Sequence, residues 1–454
     1  MAINRKNIDM VNGSLNKGII SFVLPVILMG ILQHLYNAAD VMVVGRFAGS
    51  DALAGVGTTG PISNMILNVF LGMSAGVSVV LGRALGAKDD ESVHKIVHTA
   101  ILLSLIGGVI ISAFGIIFAE SLLKMIDVPQ NVLPHAKIYM QIIFAGKIPA
   151  LLYNFSSAIL RAKGDTKRPL RIVTVSGAMN VVLNLLFVLV FKIGAAGVAL
   201  ATVISQTYTA LRVLYILVTE YDNTKLSFSK LKIYKEQIKE IARIGIPSGI
   251  QSAMGSLSTV ILQYGVNTFG SASIMAGNSA AANIQSFYFI IKNAFHQATV
   301  VFVSQNLGAK KYERINKVVL CSCGYMAMFW FVEILISTFG GRFLISLYAP
   351  NDMEAIKAGA IRLAIVGASY GIFGFSEILS GALRGMGRSI YTMALSLISN
   401  LGVKLLWIAT VFRVVKTLPF LYMSFPLGWL MALIAYYSLY VYMINPKRIE
   451  KVIR

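Results

Sequence analysis

Long apolar runs occupy most of this chain and limit its fold more than any other feature of the sequence. A run of about 18 or more largely apolar residues is long enough for a helix that crosses the hydrocarbon core of a bilayer. Only 13% of the 454 residues are charged, about half the share found in soluble domains. The sequence therefore predicts an all-α polytopic membrane protein with twelve transmembrane helices. The twelve runs lie near residues 18–44, 52–80, 94–119, 136–160, 168–191, 195–219, 241–268, 274–304, 315–340, 356–382, 389–412 and 418–443.

The basic residues sort strongly by side of the membrane. Twelve spans place both termini on one side, and 27 of the 40 Lys and Arg residues fall on that side, against nine on the other. Because loops rich in Lys and Arg stay in the cytoplasm, we expect both termini to be cytoplasmic, in a multi-pass protein of the cytoplasmic (inner) membrane. The net charge of +21 is then a topology signal with affinity for anionic lipids, and no nucleic-acid partner is expected.

The two halves of the sequence resemble each other at a nearly constant offset. The run Leu-Gly-Ala-Lys occurs at 85–88 and again at 307–310, and Leu-Arg-x-x-Gly occurs at 160–164 and again at 383–387. Such matches predict two six-helix lobes related by a parallel internal repeat, as in transporters with a cavity between lobes; a duplicated scaffold without transport is the alternative. The predicted organisation is an N-terminal lobe at 1–222, a cytoplasmic linker at 223–240 and a C-terminal lobe at 241–454.

A proline lies at the same place in the first helix of each lobe. Pro25 and Pro247 are 222 residues apart, and each removes one backbone hydrogen bond from its helix. They are candidate hinges for bending between states, and fixed kinks are the alternative.

Acidic residues inside predicted spans are functional candidates, because a charge in hydrocarbon costs several kcal/mol. Asp40 is the clearest case, and Tyr36 shares its helical face. Asn180 and Asn184 are also four apart on one helix, and Thr202 follows on the next. A carboxylate with amide and hydroxyl oxygens suits a monovalent cation, or a carboxyl that binds and releases a proton. For the Asn and Thr side chains, hydrogen bonding between helices is the alternative.

Glu377 is the second clear intramembrane acid, on the tenth predicted span. Its possible basic partners are Lys292 on the eighth span and Lys404 on the eleventh. These three residues form either a substrate site in the C-terminal lobe or a structural ion pair.

Three segments together resemble the multidrug and toxic compound extrusion (MATE) transporters: Asp40 followed by Val44-Gly45-Arg46, the motif at 85–88, and Arg161-Ala162-Lys163-Gly164-Asp165. The resemblance covers essentially the whole chain. It implies a cation site, for H⁺ or Na⁺, in the N-terminal lobe, and it transfers by position to Asp40, Asn180, Asn184 and Thr202, with Tyr139 and Asn154 nearby. The sequence departs from the family at Asn184, where many relatives have Asp. In the C-terminal half of the repeat, the position equivalent to Asp40 is occupied by Leu262, an apolar residue. Coupling is therefore expected in the N-terminal lobe.

These features together predict a secondary antiporter that exports lipophilic, often cationic, compounds in exchange for H⁺ or Na⁺. No enzymatic activity and no cofactor are expected, since neither a nucleotide-binding motif nor an intramembrane metalloprotease motif is present. The expected partners are small substrates and the lipid bilayer, and the expected state is a monomer. The alternatives are a lipid-linked oligosaccharide flippase of the same superfamily, which favours a strongly cationic cavity, and a non-transporting receptor or scaffold.

Overall fold

The computed structural model describes residues 8–445, without the side chains of Ser50, Asp51, Pro61, Ile62, Asn64 and Met65. This part of the chain is helical throughout, with short connections. The helices of the first half are α1 (Leu15–Phe47), α2 (Ser50–Ala87), α3 (Asp90–Met125), α4 (Leu133–Ala145), α5 (Lys147–Ala162), α6 (Lys167–Leu185, continued by a π-helical turn at Leu186–Val190) and α7 (Ala195–Val218).

The second half follows a connection that contains one 3₁₀ turn, Phe228–Lys230. Its helices are α8 (Lys235–Asn267), α9 (Ala272–Gly308), α10 (Tyr312–Phe339), α11 (Gly341–Ser346), α12 (Met353–Arg362, continued by a π-helical turn at Leu363–Gly367), α13 (Tyr370–Gly385), α14 (Ser389–Ser396, continued by a π-helical turn at Leu397–Gly402), α15 (Val403–Ala409), α16 (Val411–Val414), α17 (Leu418–Tyr422) and α18 (Ser424–Met443).

The predicted spans correspond to twelve helical segments within the described residues. Eight are long and apolar enough to cross a membrane, and two of these are built from several consecutive helices, α14 to α16 and α17 with α18. Two more are bent pairs, α4 with α5 (40°) and α12 with α13 (41°). The remaining two, α8 and α9, are longer than 30 residues but less apolar. Their lower hydropathy has a physical reason, since α9 buries polar side chains such as Asn278, Gln285 and Lys292 inside the protein.

The internal repeat is visible in the backbone as well as in the sequence. Lys88 and Lys310, at the ends of the two Leu-Gly-Ala-Lys motifs, both have left-handed conformations with φ of 57° and 58°. Gly164 and Gly387, at the ends of the two Leu-Arg-x-x-Gly motifs, have φ of 86° and 79°, a region that glycine adopts without strain. Equal offsets in sequence therefore give equal turns in structure.

The chain divides into two compact units that are not simply its two halves. The first unit contains Ile8 and Leu24–Gly249, and the second contains Asp9–Val23 together with residues 250–445. The divide falls inside α1 and inside α8. Each of these helices contains a proline within two residues of the divide, Pro25 in α1 and Pro247 in α8.

Within the first unit, α2 and α8 approach each other through glycines. Gly72 and Gly76 of α2 face Gly245 and Gly249 of α8, two pairs that are each four residues apart. A Cβ atom on Gly72 would lie 2.1 Å from the backbone nitrogen of Gly249, and one on Gly76 would lie 2.5 Å from the carbonyl oxygen of Ile241. Such small residues let two helix backbones pack in direct contact inside a membrane.

Buried ion pairs join the loop after α5 to the segment after α7, also within the first unit. Lys163 contacts Asp222 at 2.5 Å and Glu220 at 3.2 Å, and its ammonium also donates to the Thr224 hydroxyl at 3.1 Å. Arg168 contacts the other Glu220 oxygen at 2.6 Å. Lys163 and Glu220 are buried, so the pair between them is shielded from solvent more than surface ion pairs are.

The Lys163–Asp222 pair predicts how stability depends on pH. Partial burial by itself raises the pKa of Asp222, but the Lys163 ammonium and the Thr224 hydroxyl outweigh it and hold the pKa below its ordinary value of 3.8. A carboxyl with a lowered folded-state pKa stabilises the protein above its ordinary pKa, and that stability is lost as the pH falls through the folded-state pKa. We therefore expect Asp222→Asn to lower the melting temperature at pH 7, with the difference from wild type shrinking below about pH 4. A difference that is constant from pH 7 to pH 3 would contradict this account.

Candidate functional site

Asp40 lies at a buried polar cluster formed by α1, α6 and α7 of the first unit. Its side chain belongs to a residue only 9% exposed. The Asn184 amide donates to one carboxylate oxygen. The Thr202 hydroxyl oxygen lies 3.3 Å from the other carboxylate oxygen and 2.9 Å from the Val198 carbonyl oxygen, so its single proton serves one acceptor at a time. The carboxylate is thus held by neutral donors, and no cation of the described residues pairs with it.

The two asparagines of α6 extend this cluster along one helical face. Asn180 Nδ2 lies 3.4 Å from the Thr202 hydroxyl oxygen, and Asn180 Oδ1 accepts from Asn184 Nδ2 at 3.3 Å. The Oδ1 atom of Asn184 is buried and has no hydrogen-bond partner. An acceptor without a donor, beside a buried carboxylate, is the polar group that a proton on Asp40 or a small cation would satisfy.

Tyr36 fixes the approach of α1 to α6 about one turn from Asp40. A Cβ atom on Gly177 would lie 1.6 Å from the Tyr36 ring, so the ring occupies the space that a side chain at 177 would need. The Tyr36 hydroxyl also donates to the Thr174 carbonyl oxygen at 3.4 Å. The ring is therefore a spacer that positions α1 against α6.

The other predicted neighbours of the cluster behave differently. Tyr139 packs with an apolar cluster that includes Val44, Val188 and Val198, and it lies within range of the charge on Asp40. The Asn154 amide donates to the Ala150 carbonyl oxygen of its own helix at 2.8 Å. The structure thus brings together Asp40, Asn180, Asn184 and Thr202, with Tyr36 and Tyr139 beside them, whereas Asn154 makes a local hydrogen bond.

The acids of the second unit have partners that differ from those the sequence suggested. Glu377 pairs with His296, whose Nδ1 lies 3.2 Å from a carboxylate oxygen and 2.9 Å from the Glu377 carbonyl oxygen. Lys292 instead forms a buried ion pair with Glu333. The reason lies in helix rotation: α9 and α10 turn Lys292 and Glu333 toward each other, which an apolar pattern does not reveal.

Lys404 and Arg362 are buried in the second unit, and both donate hydrogen bonds to neutral side chains. Lys404 donates to the Ser258 hydroxyl at 2.6 Å. Arg362, at the end of α12, is buried as well and donates to Asn278 and Gln285 of α9.

Groups of three or more His, Cys, Asp or Glu side chains that could hold a metal ion are absent from the described residues. The Asp40 cluster contains one carboxylate and neutral oxygens. A single negative charge matches a proton or a monovalent cation better than a divalent metal, which normally takes more carboxylates.

Comparison with known proteins decides the family. The MatE family profile matches residues 25–186 and 247–410, one copy in each half of the chain. The chain belongs to the MATE family. Among its MATE relatives, the probable multidrug resistance protein YoeA of Bacillus subtilis is 27% identical over 444 residues, 95% of each chain. A FAD transporter of Shewanella oneidensis is 25% identical over 377 residues, 82% of each chain. An outward-facing multidrug resistance MATE transporter of the MOP superfamily has the same fold, with a TM-score of 0.91 at 22% identity over 98% of this chain and 99% of that one.

These matches confirm the family and the fold class predicted from the sequence. MATE proteins are multi-pass membrane transporters, not enzymes. The roles assigned to Asp40 and its neighbours stay predictions.

Proposed function

We propose that this MATE protein is a secondary antiporter that exports small lipophilic compounds, cationic ones among them, in exchange for H⁺ or Na⁺. The observation that carries the proposal is the buried Asp40 carboxylate, which has only neutral hydrogen-bond partners. The multidrug resistance description of the Bacillus relative supports drug-like substrates. The FAD transporter of Shewanella adds an anionic, aromatic nucleotide to the compounds that a relative moves.

Coupling follows from the cost of leaving Asp40 charged and uncompensated in a low-dielectric site. Either a proton or a monovalent cation neutralises it, so the two compete for one position. A half-turn of the Asn184 amide exchanges its donor for its acceptor. The amide therefore hydrogen-bonds the ionised carboxylate through Nδ2 and the protonated carboxyl through Oδ1. With Asn at 184, the site can therefore hydrogen-bond both the protonated and the ionised form of Asp40.

The prolines of α1 and α8 supply the bending positions in this proposal. Pro25 lies in the same helix as Asp40, about four turns away, and the chain passes between the two compact units within two residues of it. A proline lowers the cost of bending because the helix already lacks one hydrogen bond there. We propose that cation binding at Asp40 favours one bend of α1, in which substrate is released, and that substrate loading favours return.

The sequence assignments of topology and lobes are retained in the same proposal. Both termini would face the cytoplasm of a monomer, with lobes at 1–222 and 241–454 joined by a cytoplasmic linker at 223–240; the 27-to-9 distribution of basic residues supports the orientation. A reporter protein that is active only in the cytoplasm, fused after α7 or at the C-terminus, would test this orientation. Both fusions should be active. A C-terminal fusion that is inactive would contradict it.

The decisive experiment uses proteoliposomes that contain the full-length protein and a fluorescent lipophilic cation such as ethidium. Efflux is measured under an imposed proton gradient, under an imposed sodium gradient and with neither. We expect efflux to accelerate with one of the gradients and to dissipate that gradient in turn. Absence of movement with both gradients and with several dyes would favour a scaffold, and movement of a lipid-linked pyrophosphate instead would favour a flippase.

A further inference from the structure

Two buried cations of the second unit are not neutralised by any carboxylate. Arg362, at the end of α12, is 6% exposed, and Lys404, in α15, is 4% exposed. Among the described residues neither forms an ion pair, whereas Lys292 of the same unit pairs with Glu333. Burying a charge is costly unless an opposite charge compensates it.

Neutral side chains satisfy the hydrogen bonds of these cations but not their charge. The Arg362 guanidinium donates to the Gln285 amide oxygen at 2.9 and 3.1 Å and to Asn278 Oδ1 at 2.5 Å. The Tyr422 hydroxyl donates to that same Asn278 oxygen at 3.2 Å, which orients the amide toward the guanidinium. Lys404 donates to Ser258. The cations are therefore held in place, with a positive charge left over.

The carboxylates that could compensate them are used elsewhere. Glu333 pairs with Lys292, and the Glu377 carboxylate lies 3.2 Å from His296 Nδ1. Asp352 caps α12, and Glu354 accepts from Ser271. Glu313 lies in the first turn of α10, and the whole stretch 389–443 contains no Asp or Glu. Arg362 and Lys404 lie against the same Phe425 ring, so the two positive charges repel each other.

Aromatic rings connect the two cations to the surface of the unit. The Lys404 ammonium lies 3.9 Å from the centre of the Phe425 ring, and the Arg362 guanidinium lies 5.9 Å from the same ring. Phe425 contacts Trp429 with ring centres 5.3 Å apart, and Trp429 contacts Phe373 at 5.3 Å. Phe373 stacks on Phe289, which is 48% exposed. The rings thus form a continuous path from an exposed aromatic side chain to the uncompensated charge.

We propose that the second unit contains a binding site for an aromatic organic anion, a flat apolar ring system that carries a carboxylate, sulfonate or phosphate. Arg362 and Lys404 compensate its charge, and Trp429 and Phe373 contact its rings. The inference rests on the proposed transport function and names one substrate class for it. A bound anion supplies the missing negative charge, and the rings select aromatic anions over inorganic ones.

A lipophilic cation is a poor ligand for the same position. It would bring a third positive charge next to two that already repel each other. The rings alone attract cations, but here the Phe425 face is already occupied by the Lys404 ammonium. The site therefore adds aromatic anions to the cationic compounds of the transport proposal and binds them in the unit that lacks Asp40.

The test is equilibrium binding of radiolabelled 2-naphthalenesulfonate to the purified full-length protein in neutral detergent. We expect saturable binding that Lys404→Gln and Arg362→Gln each weaken about tenfold or more, as expected when a charged hydrogen-bonding partner is lost. Lys404→Arg keeps the charge and should stay within about threefold of wild type. Lys416→Gln and Arg413→Gln change exposed cations of the same unit and are the matched controls. Melting temperatures of all variants show that each is folded.

The outcomes separate this inference from the transport proposal. Binding without gradient-driven transport would overturn the antiport proposal and leave the anion site standing. Transport with unchanged naphthalenesulfonate binding in both Lys404→Gln and Arg362→Gln would overturn the anion site. Displacement of the probe by equal concentrations of sulfate, of tetraphenylphosphonium or of phosphatidylglycerol would also overturn it, in favour of an inorganic-ion, cation or lipid site.

Discussion

Asp40→Asn is expected to reduce gradient-driven efflux about a hundredfold or more while the protein remains folded, because the substitution removes the charge that a coupling ion must neutralise. Asparagine has the shape of aspartate and still accepts a hydrogen bond from Asn184, so the packing of α1, α6 and α7 is preserved. The measurement is dye efflux from proteoliposomes under the gradient that drives the wild-type protein, with monodispersity and melting temperature as measures of folding.

The matched control is Asp127→Asn, the same chemical change at an exposed turn. Asp127 has φ of 51°, a left-handed conformation that asparagine adopts readily, so the control leaves the backbone unstrained. Efflux by Asp127→Asn should equal that of wild type. Efflux by Asp40→Asn at more than half the wild-type rate would show that coupling does not pass through this carboxylate.

Gly72→Ala should be the most damaging single-methyl substitution among the described glycines of α2. The new Cβ atom would lie 2.1 and 2.3 Å from the backbone nitrogen and Cα of Gly249, and 2.6 Å from the Gly245 carbonyl oxygen. These are backbone atoms, so the clash is relieved only if α2 and α8 move apart. Overpacking typically costs about 1–3 kcal/mol, and a contact between two backbones lies at the upper end. We expect a lower melting temperature and a reduced yield of monodisperse protein.

Gly57→Ala, in the same helix, is the matched control, and its expected effect on stability has the opposite sign. A Cβ atom at Gly57 meets nothing within 4 Å, and alanine favours a helix over glycine by about 0.5–1 kcal/mol. The control should therefore be neutral or stabilising. Equal effects of the two substitutions would mean that the close approach of α2 and α8 does not contribute to stability.

The features that the sequence predicted well are those set by local patterns. Apolar runs of sufficient length specify membrane helices, and repeated turn motifs at 85–88 and 307–310 specify equal backbone turns. The grouping of Asn180 with Asn184 follows from helical periodicity, since residues four apart share a face. Their grouping with Asp40 and Thr202 was predicted from the chemistry of their oxygens and from the family resemblance, because no local pattern relates α1 to α6 and α7.

The features that the sequence did not predict depend on how each helix is rotated about its axis. Lys292 pairs with Glu333, 41 residues away, and His296 pairs with Glu377, 81 residues away. In a membrane helix both the lipid-facing and the buried sides are apolar, so an apolar pattern does not tell which side faces the protein. Arg362 shows the same limit, since only the amides of Asn278 and Gln285 reveal that its side chain turns inward.

The division of the chain inside α1 and α8 also determines the order in which the molecule can assemble during synthesis. Asp9–Val23 leaves the ribosome before the rest of its unit. Its partners there come about 280–300 residues later: Asn306 donates to the Met10 carbonyl oxygen, and Phe302 packs on Phe22. At about 5–20 residues per second, this interval is about 15–60 s. The first unit likewise is complete only after Gly249 has been made. Neither half of the sequence therefore supplies a finished unit. Asp9–Val23 must remain undocked until the second half has been inserted.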